Sequence, residues 1–452
     1  MIELLRRVAA EDPARAAIVT HDQTVSYGEL TAAAERVAHQ LRERGAARVA
    51  VADHEAVPVV ALLAGASAVG VEACLYPPDP ADELHELLAR FDHETVATDR
   101  DDLEAAQVLR LADLIGQGAR ADDEALPTTR PHLVLTTGTT GTPRGVRHDW
   151  GRLLRSTERV KPGQGERWLL AYGLHQFAGL QILLHVFAAG ATLVAPAPRR
   201  PREGLAAMRS LGVTHASATP TYWRFLLAEL RSDGGPVPDL QQVTMGGEAI
   251  PGPLLGEIRR TFPEANVSQV YAASEFGSTG SMRDGRAGLS VDVLERGDDA
   301  DVAMKIVDGE LWVRSRIGML GYYGEPPVDP DAWRPTGDLV EADGDRIHFL
   351  GRSSEIINVG GVKVHPLTIE ERVSGVTGVG VARVFGRPNP MTGQIVALEV
   401  VADADADQGA VESAIRQACA DLPSAARPRS IRFVDQVAMA GSKIVRRSTG
   451  EQ

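Results

Sequence analysis

Only two cysteines occur in 452 residues, Cys74 and Cys419. Their separation fits neither a paired-thiol redox motif nor a cysteine metal site. A disulfide framework is excluded, and two incidental thiols suit a cytoplasmic chain. Long apolar runs are also missing. No stretch reaches the roughly 18 residues a membrane-crossing helix needs, and Met1-Ile2-Glu3-Leu4-Leu5-Arg6-Arg7 lacks the apolar core of a secretory signal. A cytoplasmic location without membrane insertion is expected. Positive charge is in deficit, with 47 Lys+Arg against 61 Asp+Glu and a net charge of -14. That balance argues against a nucleic-acid partner, which calls for basic patches, but leaves room for a local cationic pocket. Absent as well are the Gly-Lys-Ser/Thr of a Walker loop and any Ser-His-Asp or Cys-His arrangement for nucleophilic catalysis.

What is present is an ordinary globular composition, 44% apolar and 24% charged, over a length that calls for two or more domains. Residues 1–20 read as helical, and His21-Asp22-Gln23 as a turn. Ser26, with Glu29 three positions on, caps a helix whose stripe is Leu30, Ala34, Val37, Ala38 and Leu41. Strands and helices then alternate to about residue 270, with Asp149 to Val160 read as one of the helices. This is the pattern of a doubly wound, mostly parallel sheet. From about residue 290 short β segments separated by Gly and Asp suggest a small barrel or a twisted antiparallel sheet. Past the hairpin at Asp343-Gly344-Asp345, a compact α+β domain follows, with helices over Pro366 to Val373 and Val411 to Leu422. The expected fold is α/β. It has a large N-terminal body over 1–350 with a small β-subdomain, and a small mobile C-terminal domain over 352–452.

The chain is organised around Leu133-Val134-Leu135-Thr136-Thr137-Gly138-Thr139-Thr140-Gly141-Thr142-Pro143-Arg144-Gly145. A short buried strand, His132 to Leu135, runs into a loop of glycines and hydroxyls that ends in one cation. Glycines let backbone amides approach an anion, threonines add donors, and arginine offers phosphate a two-pronged fork. Taken alone, the stretch reads equally well as a flexible surface turn. Four further segments stand out downstream: Gly246-Gly247-Glu248-Ala249, Tyr271-Ala272-Ala273-Ser274-Glu275, Pro335-Thr336-Gly337-Asp338 and Ala440-Gly441-Ser442-Lys443-Ile444-Val445-Arg446. Each has a plain alternative: a tight turn, a capping glutamate, a β-turn aspartate and a solvated lysine.

In their joint order, over nearly the whole chain, these segments resemble the motifs of the adenylate-forming superfamily of acyl-CoA synthetases, aryl-acid ligases and adenylation domains. The resemblance implies that Thr136, Thr137, Gly138, Thr139, Thr140 and Gly141 hold ATP phosphates together with Arg144, where the family usually has lysine. It places Gly247, Glu248 and Ala249 against adenine, and Tyr271, Ala272 and Ser274 beside the base. Glu275 becomes the Mg²⁺ ligand, a role open to a single hard carboxylate. Asp338 and Arg352 would bind ribose, and Glu355 stands at the inter-domain hinge, where aspartate is usual. Gly360 and Gly361 would line the thiol path. Lys443 would be the catalytic cation, and Asn358 stands where the family has lysine. The acid pocket would take His175, Phe177, Gly179, Tyr222, Gly246 and Ala273. His175 reads equally well as a structural histidine.

The implied chemistry is attack of a carboxylate on the α-phosphate of ATP, loss of pyrophosphate, and acyl transfer to CoA or to the phosphopantetheine of a carrier protein supplied in trans. No general base is needed, because the nucleophile is already ionised; the demand is for cations and fixed donors around phosphorus. Two alternatives stand beside it. One is a relative that activates nitrite to diazotise aryl amines. The other is a catalytically idle nucleotide-binding regulator, suggested by Arg144 and opposed by Glu275, Asp338, Arg352 and Lys443.

Overall fold

The computed structural model describes residues 1–452 apart from 117–118, 120–124, 138–142, 197–198, 404–405, 441–442 and 447–452. They fall into two compact units interleaved along the chain. The first is Met1–Ser217 with Ala272–Ser278 and Ser315–Ala332; the second is Ala218–Tyr271 with Thr279–Arg314 and Trp333–Gln452.

The first unit is α/β. A sheet of seven strands runs in the order Gly321–Tyr322, Pro143–Asp149, Pro131–Thr137, Glu72–Leu75, Arg48–Val51, Thr95–Ala97, Gln107–Leu109. Its last five strands are parallel, and its first two are antiparallel additions. A second parallel set joins Ala16–Val19, Thr192–Val194, Arg167–Leu170 and His215–Ala218. The helix Tyr27–Glu43 starts on a complete capping box between Ser26 and Glu29, and Leu30, Ala34, Val37, Ala38 and Leu41 are fully buried. It packs on Ala56–Val69, a helix apolar on all sides and correspondingly buried on all sides.

The first twenty residues are not one helix. Ile2–Glu11 is helical, Pro13 stops it, and Ala16–Val19 is a strand paired with Thr192–Val194. Apolar residues before and after a proline look alike in sequence; pairing with the hairpin neighbour Thr24–Ser26 on one side and Thr192–Val194 on the other decides the second half. The helix expected over Asp149 to Val160 is shorter, Trp150–Arg155, with Asp149 capping it. The residues before it, Pro143–Asp149, form an additional strand.

In the second unit, Gln242–Gly246 and Asn266–Ala273 are parallel neighbours. The region after 290 is a five-stranded sheet in the order Leu289–Ser290, Arg346–Arg352, Arg334–Asp343, Glu310–Ser315, Val302–Val307. This is the antiparallel sheet of the two expected forms. The C-terminal part is α+β: Pro366–Ser374 and Gln408–Ala418 pack over a sheet containing Ile357–Val359, Val379–Asn389 and Gly393–Ala402. The second helix starts and stops earlier than the apolar stripe suggests, because Asp407 caps it.

Two features of the first unit set its stability. Glu72 is buried and takes Arg48 Nε at 2.9 Å and Arg147 Nε at 2.8 Å, tying the strands Arg48–Val51, Glu72–Leu75 and Pro143–Asp149 together. Removing the carboxylate strands two guanidinium groups, so Glu72→Ala should lower unfolding free energy by about 3 kcal/mol, the low end for a broken buried pair because both arginines are partly exposed. Urea unfolding measures it. His148 is fully buried, stacks on Phe177 with ring centroids 5.1 Å apart, and burial pushes its pKa down to about 3. The unfolded ring takes a proton near pH 6.5 and the native ring only near 3, so native stability falls as pH drops below 6.5. His148→Phe removes this dependence. At pH 5 it should recover about 2 kcal/mol relative to its own effect at pH 8, measured by urea unfolding at both pH values.

Candidate active site

In the first unit the hairpin register opposes Thr136 to Arg144 and Thr137 to Pro143. Thr136 and Arg144 therefore meet at the loop end of the hairpin, and the Thr136 hydroxyl donates to the Arg144 carbonyl at 3.4 Å. Gly138, Thr139, Thr140 and Gly141 lie outside the described residues, as does the side chain of Thr137. Gly145 is sterically required: a Cβ there would stand 2.9 Å from the Phe91 ring and 3.1 Å from Tyr323 Cβ.

Arg144 projects from this hairpin with its guanidinium 3.4 Å from the centre of the Tyr322 ring, and Nη2 donates to Glu325 at 2.6 Å. Tyr322 in turn donates its phenol to Glu275 Oε1 at 3.1 Å. Tyr322 is placed by the short strand Gly321–Tyr322, which pairs with Val146 and Arg147. The backbone of Glu275 is fixed by Met319 N–H, 3.1 Å from its carbonyl, and a Cβ at Gly318 would come within 2.7 Å of the same oxygen. Three segments distant in sequence thus bring Arg144, Tyr322 and Glu275 together. Sequence reasoning found the first and last but missed Tyr322 and Glu325, which sit in no recognised motif. Ala272 and Ala273, at the end of the strand Asn266–Ala273, and Ser274, on the turn that follows, are half-buried. A Mg²⁺ ion fits this chemistry through the one carboxylate of Glu275, taking its other ligands from phosphate and water.

On the same unit, His175 precedes the apolar helix Phe177–Ala189. Gly179 approaches the backbone of Gly173 so closely that a Cβ would lie 2.2 Å from its carbonyl oxygen. The His175 ring folds back over Gly173, and burial lowers its pKa to about 4, so it is neutral at pH 7.

The second unit gathers the other residues. Asp338 accepts the Tyr271 phenol at 2.6 Å and Arg352 Nε at 2.7 Å, while Arg352 Nη1 reaches the Thr336 carbonyl at 3.1 Å. The register Asp338↔Arg352 sets this pair, and Gly337 at φ +78° turns the strand. Burial and then the neighbouring Asp338 push the Tyr271 phenol up. Phe349, which no motif marked, lies against the Tyr271 ring at 5.1 Å. Gly246 ends a strand and Gly247 turns at φ +84°, with Ala249 partly buried beyond it. Glu248 accepts from Thr221 Oγ1 at 2.7 Å and from Ile444 N–H at 3.3 Å, beside buried Tyr222.

Lys443 stands on the short strand Lys443–Ile444, opposite Ala440; its side chain lies outside the described residues. Three positions on, Arg446 forks onto Glu370 at 2.8–3.0 Å and approaches Glu355 at 3.7 Å. Burial raises the Glu355 pKa despite that cation. Glu370 was not singled out from sequence, since a helical glutamate gives no local signal. Gly360 and Gly361 have φ +57° and +88°, and a Cβ at Gly361 would meet nothing within 4 Å. Their requirement here is backbone conformation.

Known proteins match the chain over two stretches that do not follow the two units. Residues 5–323 match the model of the AMP-binding enzyme family and residues 368–443 that of the AMP-binding enzyme C-terminal domain. The chain is 28% identical to a fatty acid–[acyl-carrier-protein] ligase, MmaC, of Mycobacterium marinum, over 94% of this chain and 91% of that one. To the 2-succinylbenzoate–CoA ligase of Bacillus subtilis it is 27% identical, over 85% and 84%. Among solved structures, an anthranilate CoA ligase, AuaEII, in complex with anthranoyl-AMP superposes with a TM-score of 0.84 at 19% identity, covering 98% of this chain and 95% of that chain. With a family model spanning most of its length, the chain belongs to the AMP-binding enzyme family.

Proposed function

We propose that the chain activates a carboxylic acid with ATP, releasing pyrophosphate, and passes the acyl group from the adenylate to a thiol of CoA or of a carrier protein. The observation that carries this reading is the Asp338 knot: one carboxylate between Tyr271 and Arg352, at 2.6 and 2.7 Å. An oriented carboxylate suits the two ribose hydroxyls as acceptor, and the adjoining Tyr271 and Phe349 rings, tilted 34° to one another, offer adenine an apolar face. The ligase names of the relatives support the same reading.

Arg144, held over Tyr322, would take the phosphates. Tyr322 orients Glu275, which would hold Mg²⁺; the ion, when bound, offsets charge on the phosphates. Lys443 would donate to the α-phosphate oxygens, where charge grows as the acid oxygen attacks. Arg446, tied to Glu370 and Glu355, would fix the segment that carries Lys443. Gly360 and Gly361, on the same C-terminal part, would border the thiol path.

Pyrophosphate release with a panel of aryl acids, alkyl acids and nitrite tests the proposal. Release with an acid, followed by thioester on adding CoA or a phosphopantetheinyl carrier, is expected. Release with nitrite alone would replace this reading by the diazotising one, and none with any member would leave an idle nucleotide binder. Arg144→Ala should raise the ATP KM far more than the acid KM; equal effects would remove Arg144 from the phosphates. Losing one transition-state donor costs roughly 10²–10³ in rate, and Lys443→Ala should slow adenylate formation by that order. The same variant given pre-formed acyl-adenylate and thiol should make thioester at near wild-type rate, so damage to both half-reactions would show that Lys443 does not serve adenylation alone.

A further inference from the structure

Three loops of the first unit leave the C-terminal ends of parallel strands and bring a cation and two imidazoles together. His54 follows Arg48–Val51, His175 follows Arg167–Leu170 and Arg199 follows Thr192–Val194. The His54 and His175 rings stand edge to face with centroids 6.2 Å apart, and Arg199 Nη2 donates to the His54 carbonyl at 2.7 Å. His54 Nε2, His175 Nδ1 and Arg199 Nε are enclosed and have no hydrogen-bond partner among the described residues. Each of the three residues keeps part of its surface accessible through its other atoms.

Among the described residues no carboxylate pairs directly with these three side chains, although the charge of Glu55 acts on Arg199 and that of Asp53 on His54. Asp53, the nearest candidate in sequence, accepts the backbone N–H groups of His54 and Glu55 at 2.6 and 2.9 Å. Glu55 is exposed, and Arg100 adds a further cation already paired with Asp102. The desolvated Arg199 guanidinium has its protonated form disfavoured by burial. Charges removed from water are ordinarily paired, and unpartnered buried polar atoms call for a ligand or a functional reason. Gly179 at the start of the Phe177 helix packs closely on the backbone of Gly173 and Leu174, which places the His175 loop.

We infer that His54, His175 and Arg199 form a subsite for a second anionic group on the acid, so that the substrate class is dicarboxylic acids. This rests on the reading of the chain as an acid-activating enzyme. The loops' position fits it, since ligands of open α/β sheets gather outside the carboxyl ends of the strands. The guanidinium and the two ring nitrogens match a carboxylate in charge and donor number.

The test uses the full chain and matched pairs of acids: butyrate with succinate, valerate with glutarate, benzoate with phthalate and terephthalate. Pyrophosphate release should favour at least one diacid over its partner by about 10²-fold in kcat/KM, the scale expected when a charged hydrogen-bonding site is left unpaired. Arg199→Gln should collapse that ratio. Calorimetric binding of the diacids to wild type and variant is measured in parallel, as is the thermal midpoint without ligand. Removing an unpaired, desolvated charge should leave that midpoint unchanged or raise it. Adenylation that favours monoacids, with a ratio Arg199→Gln does not move, would overturn the subsite and leave the proposed function standing. Diacid binding that depends on Arg199, without pyrophosphate release, would keep the subsite and sink the proposed function. Neither release nor binding with any diacid would overturn the subsite. So would a lowered midpoint with unchanged selectivity, which would make Arg199 structural.

Discussion

An antiparallel hairpin set into a parallel sheet governs the first unit. Parallel strands are joined by crossovers, so a loop at their C-terminal edge usually leads away into a helix. Between Pro131–Thr137 and Pro143–Asp149 the chain instead turns straight back, and both ends of the loop stay at that edge. Thr136 and Arg144 become cross-strand neighbours, and Val146 and Arg147 offer a further edge to Gly321–Tyr322. That second pairing carries Tyr322 under Arg144 and its phenol to Glu275. A change of strand direction at one place thus assembles a cation, an aromatic ring and a carboxylate from three regions of the sequence. Glu72 anchors the arrangement from behind, holding Arg147 of the same strand.

The second unit works through carboxylates whose oxygens are each committed. Asp338 is divided between a phenol and a guanidinium, Glu248 between a threonine and a backbone amide, and Glu370 between Arg446 and the Val384 N–H. A carboxylate with a single partner swings about it; one with two is oriented. Orientation before ligand arrival is what a binding constellation requires, because the cost of ordering is met during folding. The same pairs explain why burial does not expel these charges: Arg446 stays protonated, since Glu370 and Glu355 outweigh its desolvation.

Local physics was legible in the sequence. The Ser26–Glu29 capping box, the all-apolar helix ending at Gly70 and the hairpin at Gly344 each depend on neighbours within a few residues. The motif segments were legible too, though their assembly was not. Ala16–Val19 is a strand between its hairpin neighbour 24–26 and a partner at 192–194, and Pro143–Asp149 pairs back on 131–137; the partner at 192–194 leaves no local trace. Tyr322, Phe349 and Glu370 were missed for a related reason. A tyrosine after glycine, a phenylalanine in a β segment and a helical glutamate are common, and only tertiary contact distinguishes them. The cluster of His54 and Arg199 with His175 lies across three loops and was invisible for the same cause.

Arg144 is the departure from family pattern that the structure accounts for; nothing in it accounts for Asn358. A lysine at 144 would present a compact charge on a flexible stem. The guanidinium is planar, so its face lies on Tyr322 at 3.4 Å while its edge donates to Glu325 at 2.6 Å. One ammonium serves such a face and edge together poorly. Both partners come from residues 321–325, the segment that also orients Glu275. Position 144 is therefore coupled to the Glu275 carboxylate through Tyr322: a change at either end alters what the phenol can do. The Glu325 pair is exposed and worth little by itself, and phosphate oxygens would compete for the same fork. An arginine stacked on one side and weakly paired on the other is held in direction without being held in occupancy, which is the condition a phosphate-binding cation must meet.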